Sequence, residues 1–137
     1  MIYRDLIPDD ELRAFVHTMN TRAKAAQRGG KMSVALLRDR ILASGGRCEW
    51  CGVSVVGLAF EVDHIISLRN GGGNVAENLV VACQPCNRQK ADKHPVRFAQ
   101  EVSRTAPTIT PFVRQLLQNY DTPPTIQLSL FDEDDDR

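Results

Sequence analysis

Four cysteines fall in two matched pairs, Cys48-Glu49-Trp50-Cys51 and Cys83-Gln84-Pro85-Cys86, with 31 residues between them. Two residues between ligands allow one tight turn to aim both sulfurs at a tetrahedral ion, and Gly52 and Pro85 are turn formers of that kind. In a reducing compartment such pairs favour a metal over disulfides, so a closed structural Zn²⁺ site with four thiolate ligands is expected. Two buried thiol pairs or a redox C-x-x-C are the bland alternatives, and the matched spacing weighs against both. Between and just after the pairs lie Asp63, His64, Asn78 and Asn87. A carboxylate and an amide oxygen, from Asp63 and Asn87, make a hard and incomplete donor set that suits Mg²⁺ or Mn²⁺. A histidine beside it that does not coordinate is free to take a proton from an attacking water. The chemistry this set supports is hydrolysis of a phosphodiester. Singly, each of these residues reads better as a cap, a turn former or a satisfied strand histidine. Their order inside a zinc frame is what points to a site.

The elements that must position them follow from periodicity. Pro8, Asp9 and Asp10 open a helix carrying Leu12, Phe15, Val16 and Met19, closed near Arg28, Gly29 and Gly30. Ser33 can cap a second helix with Val34, Leu37, Ile41 and Leu42, stopped by Gly45 and Gly46. Residues 58–65 alternate as a strand, 70–74 form a loop whose three glycines read as a connector, and 78–82 form a second strand. A helix begins near Gln84 and Pro85 and runs through Lys90. Helices after Pro95 and after Pro111 complete the pattern. Trp50 is expected to cover the zinc sulfurs, and His94 to be a surface histidine.

The segment from Cys48 to Lys90 resembles the HNH endonucleases: C48EWC51, V62DHIISLRNGGGNVAENLVVAC83 and QPCNRQK90. The resemblance implies a ββα-metal (HNH/His-Me finger) core whose inner motif enters the DNA minor groove. It implies His64 as general base, Asp63 and Asn87 as catalytic-metal ligands, and Asn78 as the brace of the loop that orients the histidine. Asn87 stands where the family name expects a histidine, an H-N-N variant also similar to some phage junction-resolving nucleases. An amide oxygen there favours hard ions such as Mg²⁺ or Mn²⁺. Arg88, Lys90 and Lys93 on or near the last helix are candidates for DNA phosphate contacts.

The fold class expected is α+β: a zinc-stapled core at 48–94, a basic helical segment at 1–47, helices at 95–120, and a flexible acidic tail at 121–137. The formal net charge is zero, from 17 bases and 17 acids, which taken whole argues against a nucleic-acid partner. Its distribution reverses that reading. Residues 1–120 carry 16 bases against 11 acids, and residues 121–137 carry six acids against Arg137. Residues 22–47 alone hold seven bases and one acid, Asp39, which is either a solvated face or a phosphate-contacting surface. After Pro123 and Pro124, the stretch Gln127, Leu128, Ser129, Leu130 and Phe131 resembles the short peptide by which bacterial DNA polymerases and repair proteins dock on the sliding clamp. The alternative is a tail folded back as an edge strand. No run reaches the ~18–20 apolar residues of a membrane span, and the first residues lack a signal peptide's order, so a cytoplasmic location is expected. The competing functional class is a non-catalytic zinc module that binds DNA or protein.

Overall fold

The computed structural model describes residues 7–119. Helix α1 spans Asp9–Ala25, with Asp9, Asp10 and Glu11 in its first turn and Arg22 and Lys24 in its last, matching the helix dipole at both ends. It buries Leu12, Met19 and Ala23. The helix stops short of the glycines expected to close it: Gln27 takes the left-handed conformation (φ 57°), and the Arg28 N–H returns to the Ala23 carbonyl at 2.9 Å. Helix α2, Val34–Ala43, is capped as expected, Ser33 Oγ accepting from the Leu36 N–H at 3.2 Å. Gly45 and Gly46 end it at φ 67° and 74°.

Strands β1 (Phe60–His64) and β2 (Leu79–Cys83) pair antiparallel, from Phe60 opposite Cys83 to His64 opposite Leu79. The first strand is shorter than its alternating sequence because pairing partners exist only for these five residues, and Leu58 lies 58% exposed outside the ladder. A 3₁₀ turn, Ala76–Asn78, feeds β2. Helix α3, Gln84–Lys90, starts directly after β2 with Pro85 in its first turn and packs on both strands. The order β1-β2-α3 is the ββα unit expected inside an α+β fold.

Helices α4 (Pro95–Thr105) and α5 (Pro111–Asn119) pack on one another and close the core. Trp50, fully buried, meets Phe98 and Phe112 edge-on at centroid distances of 4.9 and 5.0 Å. The indole thus joins the first knuckle to both C-terminal helices, a core anchor rather than only a lid on the sulfurs; each such aromatic pair contributes about 0.5–1.5 kcal/mol beyond its burial. Thr110 reinforces the joint: its hydroxyl donates to the Glu49 carbonyl at 2.6 Å and accepts the Val113 N–H of α5. Among the described residues no helix is long and apolar enough to cross a membrane.

Candidate active site and metal centre

The two knuckles bring all four cysteine sulfurs within 4.8 Å of one another. Cys51 and Cys83 are 3.9 Å apart, and a tetrahedral ion with sulfurs at about 2.3 Å would hold them about 3.8 Å apart. Cys48 and Cys86 are buried, Cys51 and Cys83 half-buried. The hydrogen bond with Cys86 lowers the Cys48 thiol to about 5. The same bond, then burial, raises Cys86, and burial pushes Cys83 up to about 11. Ionising Cys83 and Cys86 beside the Cys48 thiolate is therefore resisted, a resistance that a divalent cation at the centre of the cluster removes. Donor type, number and spacing fit Zn²⁺. Local chemistry builds the first knuckle: Gly52, at φ 82°, lets its N–H reach the Cys48 carbonyl at 2.8 Å. Glu49 then fastens the knuckle to the sheet, its carboxylate accepting the Val81 N–H at 2.8 Å and pairing with Arg40 of α2 at 2.7 Å.

At the other end of the ladder, strand alternation turns Phe60, Val62 and His64 to the buried face and leaves Glu61 and Asp63 half-buried. His64 is 4% exposed, and its Nε2 lies 3.1 Å from Oδ1 of Asn74, which is fully buried. The Asn74 Nδ2 donates to Asn20 Oδ1 of α1 at 2.8 Å. Asn20 is in turn fixed by one backbone residue, accepting the Met32 N–H at 2.8 Å and donating to the Met32 carbonyl at 3.0 Å. Each amide's orientation follows from that anchor. The Asn74 oxygen must face the histidine, so Nε2 carries the proton in the neutral ring and the lone pair lies on Nδ1.

Asn78 spans the loop between the strands. Its Oδ1 accepts the Ile66 N–H at 2.9 Å, and its Nδ2 donates to the carbonyls of Ile66 and Gly73, both at 2.9 Å. Within the glycine run, Gly72 is correspondingly constrained rather than part of a loose connector. A Cβ on Gly72 would run into the Ile66 carbonyl and come within 2.7 Å of the Asn78 Nδ2. Gly30 is needed for a similar reason: it sits at φ 101° where a Cβ would strike the Asn74 carbonyl.

Asp63 commits one carboxylate oxygen to the His64 N–H at 2.8 Å, and Asn87 lies half-buried on the first turn of α3, directly after Cys86. The basic candidates separate. Arg88 is exposed. Lys93 is half-buried and paired with Glu101 at 2.8 Å. Lys90, expected to face DNA, is only 1% exposed, its ammonium directed toward the Ala91 carbonyl at 3.4 Å. His94 is likewise buried, at 6%, and caps α4 by accepting the Val96 N–H at Nδ1; it does not lie on the surface. Gln127, Leu128, Ser129, Leu130 and Phe131, with the acidic run, fall outside the described residues. Asn20 and Asn74 were not legible as site residues. Fifty-four positions separate them, and neither sits in a periodic pattern that would pair them.

Comparison with known proteins places a family on part of this geometry. A comparison with curated proteins gave no significant match. The chain is similar in structure to the Type II-C Cas9 enzyme from Actinomyces naeslundii (TM-score 0.47, 22% identity, covering 90% of this chain and 14% of that one). It is also similar to the Type IV phosphorothioation-dependent restriction endonuclease ScoMcrA (TM-score 0.39, 22% identity, 82% and 25% covered). The chain thus spans a small part of each of those proteins, and at those scores neither likeness carries the functional reading. The family model described as HNH endonuclease matches residues 48–93, from the first zinc-site cysteine to just past α3. That stretch holds both knuckles, both strands, Asp63, His64, Asn78 and Asn87, and it is the segment of this chain that is similar to the HNH endonucleases.

Proposed function

We propose that the protein is a metal-dependent DNA endonuclease with His64 as its general base. The observation that carries this reading is the state of His64: held on the sheet beside Asp63, with Nε2 committed to Asn74 and the Nδ1 lone pair left to accept a proton. In the reaction, Nδ1 takes a proton from a water whose oxygen bonds to phosphorus as the P–O3′ bond breaks. The departing oxygen takes a proton from solvent, leaving a 5′-phosphate and a 3′-hydroxyl. The Asp63 carboxylate and the Asn87 amide oxygen fit Mg²⁺ or Mn²⁺, which would neutralise charge on the phosphate and on the leaving oxygen. Asn78 keeps the loop after His64 in place during this chemistry.

The basic stretch from the last turn of α1 onward supports a DNA surface. Lys24, Arg28 and Lys31 line a cavity of about 350 Å³ together with Asn20, the residue that anchors Asn74. Arg28 also donates to the Leu68 carbonyl at 2.7 Å, tying this basic edge to the chain that leaves β1. Exposed Arg88 on α3 is a further candidate for phosphate contact, while Lys93 and buried Lys90 would contribute only after leaving their present partners. Residues 127–131 are the proposed docking peptide for a bacterial sliding clamp, which would bring the nuclease to replicating or repaired DNA.

The test is cleavage of supercoiled plasmid and branched DNAs with Mg²⁺ or Mn²⁺, comparing the wild type with His64→Ala. Removing a general base should slow cleavage by roughly 10²- to 10⁴-fold. A wild type that leaves every substrate intact under every metal would sink the enzyme reading in favour of a non-catalytic zinc module.

A further inference from the structure

The matched family segment begins at residue 48, yet the hydrogen bonds that hold His64 begin at residue 20. Three polar side chains in series, His64, Asn74 and Asn20, run from β1 through the loop to the middle of α1. Two of them are nearly or wholly shielded from water, at 4% and 0% exposure. The far end is fixed by the two backbone groups of Met32, one donor and one acceptor, so the Asn20 amide cannot reverse without opposing like groups at both contacts. Asn74 is fixed by its neighbours on the chain side as well. Its N–H donates to the Gly29 carbonyl at 2.8 Å, and the bare Gly30 backbone is what lets its own carbonyl approach.

We propose that Asn20, acting through Asn74, is a positioning residue that selects the Nε2–H tautomer of His64 and holds its ring for proton abstraction. The proposal rests on the endonuclease reading for its catalytic consequence, but not for its structural content. The opposite tautomer would set the Nε2 lone pair against the Asn74 oxygen and move the basic nitrogen to the buried side of the ring. Removing Asn20 frees the Asn74 amide to turn, and either tautomer of His64 then finds a partner. Rate should suffer more than binding, because neither asparagine is required to touch DNA for the effect. A misdirected base costs on the order of 10- to 100-fold in turnover.

Two measurements on the full chain separate the possibilities. Nitrogen-15 spectra of the histidine rings, recorded where the rings are neutral, read the tautomer directly. The wild type should show His64 as Nε2–H, and Asn20→Ala and Asn74→Ala should show a mixture. Asn20→Asp keeps an acceptor oxygen toward both Asn74 and the Met32 N–H; its other oxygen opposes the Met32 carbonyl and lowers stability, but the variant should retain the wild-type tautomer. Cleavage kinetics should then show kcat down roughly 10- to 100-fold in Asn20→Ala with KM within about twofold, and largely restored in Asn20→Asp. Alanine is well tolerated inside α1 and Asn20 is only half-buried, so this variant remains testable if Asn74→Ala fails to fold. An unchanged tautomer and an unchanged kcat in Asn20→Ala would overturn the relay and leave the nuclease reading intact. A tautomer that mixes in Asn20→Ala, in a wild type that cleaves nothing, would uphold the relay and reject the nuclease reading.

Discussion

Asn78→Asp is nearly isosteric, yet the loop geometry makes it as damaging as deleting the side chain. Asn78 makes three hydrogen bonds, one as acceptor from the Ile66 N–H and two as donor to the carbonyls of Ile66 and Gly73. At about 1 kcal/mol net for each, Asn78→Ala should cost about 3 kcal/mol. That is a large share of a native stability on the order of 5–15 kcal/mol. The aspartate keeps the acceptor bond and loses both donors, about 2 kcal/mol, and then turns a carboxylate oxygen toward two carbonyls in a half-buried site. Setting a charged oxygen against those two carbonyls, which alanine does not do, adds about 1–3 kcal/mol, so its total is about 3–5 kcal/mol, no better than alanine. The assay is urea unfolding of the wild type and both variants at one fixed excess of Zn²⁺, since bound metal contributes to the apparent stability. The same variants should lose cleavage, because the braced loop is the segment that carries Asn74 to His64. An aspartate variant with wild-type stability would show that the amide donors do not hold the loop, and the assignment of Asn78 as its brace would fail.

Zinc uptake should release protons, because Cys83 is pushed up to about 11 and Cys86 is raised, and both must ionise to bind. The sign follows: affinity falls as pH falls, and calorimetry in buffers of different ionisation heat should report the release, its absence refuting the four-thiolate site. Chelation, or Cys86→Ser, should unfold the β1-β2-α3 unit, read as loss of protected amides in the ladder. Arg88→Ala should reduce the slope of log K against log salt for DNA binding by about one, whereas Lys90→Ala, at a position only 1% exposed, should lower unfolding stability instead. The pair Leu130→Ala and Phe131→Ala should abolish binding to a purified sliding clamp, with unchanged binding rejecting the docking peptide.

What could be read in the sequence was local. The knuckles, the start of α3 at Gln84, the Ser33 cap and the strand containing Asp63 and His64 all depend on residues within a turn or a strand of one another. What could not be read was set by distant packing. Trp50 sits between two cysteines, so its nearest chemistry looked like sulfur, while Phe98 and Phe112 decide its place. Lys90 is the last residue of a seven-residue helix whose buried side the sequence does not reveal. His94 precedes a proline, and it is needed as a cap because α4 opens in the interior. The three glycines looked permissive in isolation, but Gly72 is demanded by a carbonyl six residues earlier.

The register of the ladder explains why the histidine needs support from so far away. Cys83 pairs with Phe60 at one end, and His64 pairs with Leu79 at the other, four residues along. At about 3.4 Å per residue, the zinc-binding end and the base are separated by about 14 Å along the strand. A two-stranded ladder of five pairs is marginal alone, and a metal that fastens one end does little to fix a side chain at the other. The distal end is held instead by amides: Asn78 across the loop, and Asn74 with Asn20 across to α1. The two supports should therefore fail differently. Loss of metal should unfold the frame and the site together, whereas loss of Asn20 should leave the zinc site and the ladder intact while His64 loses its fixed tautomer.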